Sequence, residues 1–219
     1  MSFFIRLLET TDANRCELEG LPKIQEMLNG KMTREEYKAF LIDLYHIVWH
    51  FCPIMAAAAS RCPDEFKEVR YHLYHSIEEE KGHETMVLND LKVFGISAET
   101  VQASVPSYAV QAMLGYNYYT CERIHPCSVA GMLYGLELIS SVYSGELATS
   151  ISLGLDMPLP HGFTFLDSHS AMDLDHVAEL RKLFQTIHDP HVQEIIINAI
   201  QMNFYLFTEF MKNSYQKGA

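Results

Sequence analysis

Between residues 163 and 188 one line of a helical wheel reads Leu166, His169, Asp173, His176, Leu180, Leu183, Ile187. Steps of three and four place these side chains on one face. Two imidazoles and a carboxylate therefore interrupt a stripe that is otherwise apolar. Burying three titratable groups together is costly unless they pair or bind a cation. His, Asp and His at i, i+4 and i+7 suit one metal ion, or one edge of a site for two. The plainer reading is a partly exposed helix edge carrying ordinary polar residues. A second anomaly is Glu137, the only Asp, Glu, Lys or Arg between Arg123 and Glu146. Its wheel line runs Ala130, Leu133, Glu137, Ser141, Ser144, Ala148, and a lone acid there calls for a buried basic or hydroxyl partner, or a divalent cation.

Two further places offer donors. In SIEEEKGHETMVL, Glu80 and His83 form E-x-x-H, the pair that helical bundles use for carboxylate-bridged dimetal sites. Glu78 and Glu79 read as solvated surface charges, while Glu80 shares a row with Leu73, Ile77 and Glu84. In LYHIVWHF, His46 and His50 lie one turn apart, flanked by Tyr45 and Trp49; each is either a chelating residue or a hydrogen-bonded core histidine. Cys121 and Cys127 are the candidate nucleophiles, although buried thiols are usually inert packing groups. No G-x-S-x-G, phosphate-binding glycine loop or dinucleotide fingerprint occurs.

The elements that carry these residues read as helices throughout. Thr33 and Glu36 form a capping box for a helix over 33–61, with Tyr37, Phe40, Leu41, Leu44, Val48 and Phe51 at helical spacing and Pro53 as a kink or break. Asp64 caps a helix expected to run to Phe94, closed by Gly95. A short segment over 97–103 leads to a helix over 107–121. Pro126 starts one reaching Leu153, and residues 154–162 form the longest loop. Helices over 163–188 and 191–215 complete the chain, separated at Asp189-Pro190. No stretch alternates with period two, so the expectation is a single all-α domain over 1–219, a compact bundle of about seven helices with its core at 33–210.

Composition narrows the function. The 219 residues are 48% hydrophobic, enough for a substantial core. A net charge of −12 disfavours nucleic acid and anionic membrane surfaces. Five widely spaced cysteines without a C-x-x-C pair argue against a disulfide scaffold and a thiolate zinc site. The N-terminus turns charged too early for a signal peptide, and no apolar run approaches ~20 residues, so no membrane span and a cytoplasmic location are expected.

The order E-x-x-H (Glu80, His83), then a lone Glu in a helix after a proline (Glu137), then H-x3-D-x2-H (His169, Asp173, His176) resembles the haem-oxygenase-like diiron oxidases. These share a superfamily with TENA/THI-4 and PqqC-like proteins, and the resemblance spans roughly residues 33–210. It implies a haem-oxygenase-like bundle, and it places Glu80, His83, Glu137, His169, Asp173 and His176 at iron-ligand positions. Relatives usually add a Glu from the helix that here reads LYHIVWH, where His46 is the nearest substitute. The resemblance implies Fe(II), two ions, with O2 and a small organic substrate bound beside Tyr45, Trp49 and Tyr134. No haem is expected, because the first 45 residues contain no histidine to serve as its proximal ligand. The competing classes are a metal-free TENA/THI-4-like enzyme using Cys127 as nucleophile, a PqqC-like enzyme, and a non-catalytic binding module. A homodimer is the expected assembly.

Overall fold

A computed structural model describes residues 2–213, apart from the side chains of residues 170, 171 and 213. Among the described residues there are eleven α-helices and no strand: α1 (Phe3–Thr10), α2 (Asp12–Glu19), α3 (Pro22–Leu28), α4 (Arg34–Arg61), α5 (Lys67–Glu80), α6 (His83–Val93), α7 (Ala98–Gln102), α8 (Tyr108–Tyr119), α9 (Ser128–Gly154), α10 (Thr164–Phe184) and α11 (Pro190–Asn213). The fold is all-α, as the periodicity requires.

Helix α9 holds the centre, packed against α10 and α11. It is apolar on nearly every face, which is the pattern of a helix surrounded by others. Gly131 lets α11 approach closely: a Cβ there would sit 2.6 Å from the Ile196 carbonyl oxygen. Helix α4 packs on α5, α6 and α8 and forms the opposite wall. Its start shows the expected capping box, with the Thr33 hydroxyl accepting from the Glu36 amide and Glu36 accepting from the Thr33 amide. Pro53 lies inside α4 without ending it. By length and composition α4 could cross a membrane, contrary to the expectation that no run was long enough, but half of its most apolar window is buried within the bundle.

The count exceeds seven for two reasons. Residues 3–28, which the periodicity left unassigned, form three short helices whose Phe3 and Phe4 make edge contacts with Phe184 and Tyr134. The helix expected from 64 to 94 is broken. Asp64–Phe66 make a 3-10 turn, and α5 stops at Glu80 because Lys81 is extended and Gly82 adopts φ +92°. That left-handed value is tolerated by glycine and strained for almost any other residue. After α8, residues Thr120–Ile124 continue as a π-helical turn.

Candidate metal centre

The break at Gly82 shapes the site. Glu80 is the last residue of α5 and His83 the first of α6, so E-x-x-H spans a turn rather than one continuous helix. The pair still meets, with His83 Nδ1 2.9 Å from Glu80 Oε2. Helix α10 faces them. Its first amides have no cap of their own; Asp90, buried on α6, accepts from the Thr164 amide at 2.9 Å, the Thr164 hydroxyl at 2.6 Å and the Phe165 amide at 3.0 Å. A carboxylate on the preceding donor helix thus fixes where α10 begins, and therefore where its histidines sit.

On α10 the His169 ring stacks on Phe165, with centroids 3.9 Å apart, and its Nδ1–H donates to the Phe165 carbonyl at 2.9 Å. A carbonyl can only accept, so the proton is on Nδ1 and Nε2 keeps its lone pair. That Nε2 lies 3.1 Å from His83 Nδ1. Two turns on, His176 Nδ1 is 3.4 Å from Asp173 Oδ1 and 3.6 Å from Glu80 Oε1, while its Nε2 is 3.6 Å from Glu79 Oε2. The donors fall into two groups, Glu80–His83–His169 and Glu80–Asp173–His176, with the chosen atoms of each within 4.8 Å of one another. Glu80 belongs to both.

Glu137 of α9 reaches the same place. It lines one cavity together with Glu80 and Asp173. It is 6% exposed, and its Oε2 has no hydrogen-bond partner among the described residues. Burial pushes its carboxyl well above the ordinary range, and the neighbouring charges of Asp173, Glu80 and Glu79 add to the rise against the opposing pull of His176. Burial acts on Glu80 in the same sense, but its hydrogen bond to His83 and the nearby imidazoles outweigh it and bring Glu80 below its ordinary value. His83 is raised by that hydrogen bond, and His176, hydrogen-bonded to Asp173, is pushed up to about 9. Burial lowers His169. Neutral His169 and charged carboxylates are the forms that ligate cations, whereas Glu137 as it stands is a buried acid short of a partner.

Six of the seven expected donors therefore converge: Glu80, His83, Glu137, His169, Asp173 and His176. His46 does not. Its Nε2 meets Ser104 Oγ at 2.8 Å on the α7 side of α4, and the turn facing the cavity shows Leu44, Ile47, Val48 and Phe51 instead. His50 pairs with the Tyr118 hydroxyl at 2.9 Å.

The expected substrate residues are also misplaced. Tyr45, Trp49 and Tyr134 all lie off the cavity. Tyr45 and Trp49 sit one wheel position round from Leu44 and Val48, and Trp49 is 47% exposed. Tyr134 turns to the opposite flank of α9, against Phe4 and Phe184.

Neither cysteine lines the cavity. Cys127 is buried at the start of α9, and its thiol is raised by a hydrogen bond to Cys62. Burial pushes Cys121 up to about 11. These are poor conditions for a thiolate nucleophile. Asp90 escaped the periodicity reading, though its place in the buried row Val87, Asp90, Leu91 was a visible signal. Glu79 is exposed, as expected of a solvated surface charge, but it also lies 3.6 Å from His176 and 3.4 Å from His75.

Comparison with known proteins bears on the fold and the family. A chlamydial protein named 4-aminobenzoate synthase (Chlamydia muridarum) is 22% identical over 187 residues, covering 84% of this chain and 78% of the relative. A domain with a heme oxygenase-like fold from Shewanella denitrificans superposes with TM-score 0.86 at 22% identity, covering 100% of this chain and 97% of the other. A TenA homologue from Pseudomonas syringae gives 0.83 at 14% identity, covering 98% and 93%. These likenesses establish the haem-oxygenase-like fold. The family model described as iron-containing redox enzyme matches residues 38–206, a stretch that holds all six converging donors, and the chain belongs to that family.

Proposed function

We propose that the protein is a non-haem iron oxidase or oxygenase that holds two Fe(II) ions and uses O2 to oxidise a small organic substrate. The observation that carries this reading is the double membership of Glu80. Its Oε2 faces His83 while its Oε1 faces His176, so one carboxylate offers an oxygen to each of two donor groups. That is the bridging role a two-ion carboxylate site needs. Glu137, with an orphaned buried oxygen, fits as a further ligand whose missing partner is a cation.

When bound, iron supplies the redox capacity for reducing O2, which no side chain here offers. The chain's own groups do the rest. The Phe165 carbonyl holds His169 in the Nδ1–H tautomer and aims Nε2 inward. Asp173 and Glu80 hold a proton on His176, which an incoming ion has to displace. The α4 residues that line the cavity, Phe40, Leu44, Ile47, Val48 and Phe51, offer no ligand, so the metal would be held by the groups of α5, α6, α9 and α10 beside an apolar wall that excludes water.

A TENA/THI-4-like hydrolase draws little support, since Cys127 lies away from the cavity and is hydrogen-bonded to Cys62. A decisive experiment is anaerobic reconstitution with Fe(II), followed by metal analysis and O2-uptake measurements. The expected outcome is about two tightly held ions per chain, as a two-metal centre demands, and O2 consumption that His169→Ala and Asp173→Ala abolish. Wild-type protein that retains no iron after desalting would refute the proposal.

A further inference from the structure

The cavity beside the carboxylates has a chemical character of its own. It has a volume of about 100 Å³, room for a small molecule, and is partly open to solvent. Helices α4, α9, α10 and α11 form its walls, and Ile24 of α3 closes one side. Phe40, Leu44, Phe51, Leu166, Phe207 and Met211 are representative of the lining, which among the described residues contains no Lys, Arg or His. Its charged members are Glu80, Glu137 and Asp173, all acids of the candidate centre.

The remaining polar liners are Ser140, Tyr143 and Ser144. Two of these are already engaged. The Ser144 hydroxyl donates to the Ser140 carbonyl at 2.6 Å, and the Ser140 hydroxyl donates to Ser144 Oγ at 3.4 Å. An anionic group placed among the apolar liners would find no basic counter-charge among the described residues, a large penalty in such surroundings, and a cationic one would find its partners only in the three acids of the candidate centre. Hydrocarbon would gain the full benefit of leaving water.

We infer that this cavity binds an uncharged, predominantly hydrocarbon molecule, an alkyl chain or unsubstituted ring system with at most one hydroxyl-sized polar group. Calling that molecule the substrate rests on the iron-oxidase reading; its binding does not. 4-Aminobenzoate, which the name of the 22%-identical relative mentions, carries a carboxylate at neutral pH, and among the described residues no basic side chain lines this cavity to receive it.

The test is displacement of the neutral fluorophore 1-aminoanthracene, under nitrogen, from metal-free protein and from protein loaded with Mn(II). The competitors are 1-octanol, octanoate and 4-aminobenzoate. In both preparations 1-octanol is expected to displace the probe with an affinity at least about tenfold above either anion. Leu44→Trp, and independently Ile139→Trp, fills the cavity and should abolish probe binding, while circular dichroism and melting report that each variant is folded. Failure of the probe to bind wild type overturns the inference. So does undiminished binding to a folded tryptophan variant, or octanoate matching octanol in the Mn(II)-loaded protein. Should the protein take up no metal at all, the iron-oxidase reading falls, and the metal-free arm still decides the character of the cavity.

Discussion

Glu137 provides the sharpest test of how the site is built, because replacing it should move the metal-free and metal-loaded proteins in opposite directions. In the metal-free chain its Oε2 is buried without a partner, a defect worth about 1–3 kcal/mol. Glu137→Leu removes the defect and fits where the carboxylate already borders open space. For a chain of 150–250 residues each kcal/mol moves the melting temperature by about 2–4 °C. The metal-free variant should therefore melt about 2–12 °C above wild type at pH 8. Because burial holds the folded carboxyl well above its ordinary 4.5, the native state keeps a proton that the unfolded chain has lost. The penalty is thus present at pH 8 and shrinks as the pH falls towards 4.5, and the gap between variant and wild type should shrink with it. With Fe(II) or Mn(II) at about a hundred times its dissociation constant, wild type should gain about 2.7 kcal/mol, or roughly 5–11 °C, and the variant much less. Differential scanning calorimetry at pH 5 and 8, with and without metal, reads all of this. A metal-free variant melting below wild type at pH 8 would show that Glu137 has a favourable partner. An unchanged metal-induced rise would show that it is no ligand.

Metal-free protein should lose stability between pH 6.5 and about 9, where the proton held by His176 is released, at a cost of about 2–3 kcal/mol. His83, raised as well, has the same sign, whereas Glu80 and His169 are shifted down and their unfolded forms have already titrated below this window. Melting of metal-free protein that is flat or rising over that range contradicts the assignment. Asp90→Ala should cost about 2–4 kcal/mol by exposing the start of α10 and should weaken metal binding too; Asp90→Asn should restore part of both, as melting and metal titration will show. His46→Ala and Cys127→Ala should leave iron stoichiometry unchanged by metal analysis, and a halved iron content in either variant would return that residue to the centre.

The parts of the site that could be read from the chain share one property: an ionisable residue interrupts a stripe that local periodicity marks as buried. His169, Asp173 and His176 break the apolar row of α10, and Glu137 is the lone charge between Arg123 and Glu146. Wheel phase relative to neighbouring helices is a tertiary quantity. Tyr45, His46 and Trp49 therefore looked as suitable as Leu44, Val48 and Phe51, although about 100° of rotation on α4 separates the two sets. The break between Glu80 and His83 was hidden for a different reason, because a single glycine within a polar helix is compatible with either continuation or a turn. The short helices over 3–28 gain their stability from packing on α9, α10 and α11, which their own sequence does not display.

The location of Gly82 links these observations to function. On one continuous helix, residues three apart share a face but point to successive levels along its axis. Ending α5 at Glu80 and restarting at His83 lets the carboxylate turn one oxygen to α6 and the other to α10. A residue with a Cβ at position 82 would be strained at φ +92° even though nothing lies within 4 Å of the place the Cβ would occupy. The cost is conformational, so Gly82→Ala should disturb the turn without a packing clash. In the proposed two-ion centre the loss should fall on the bridging acid, and hence on both ions together. Sequential titration with Fe(II) under nitrogen separates this from the loss of an ordinary ligand. Gly82→Ala should weaken both binding steps by similar factors, whereas His83→Ala should weaken one. If Gly82→Ala weakens a single step, Glu80 does not serve both donor groups.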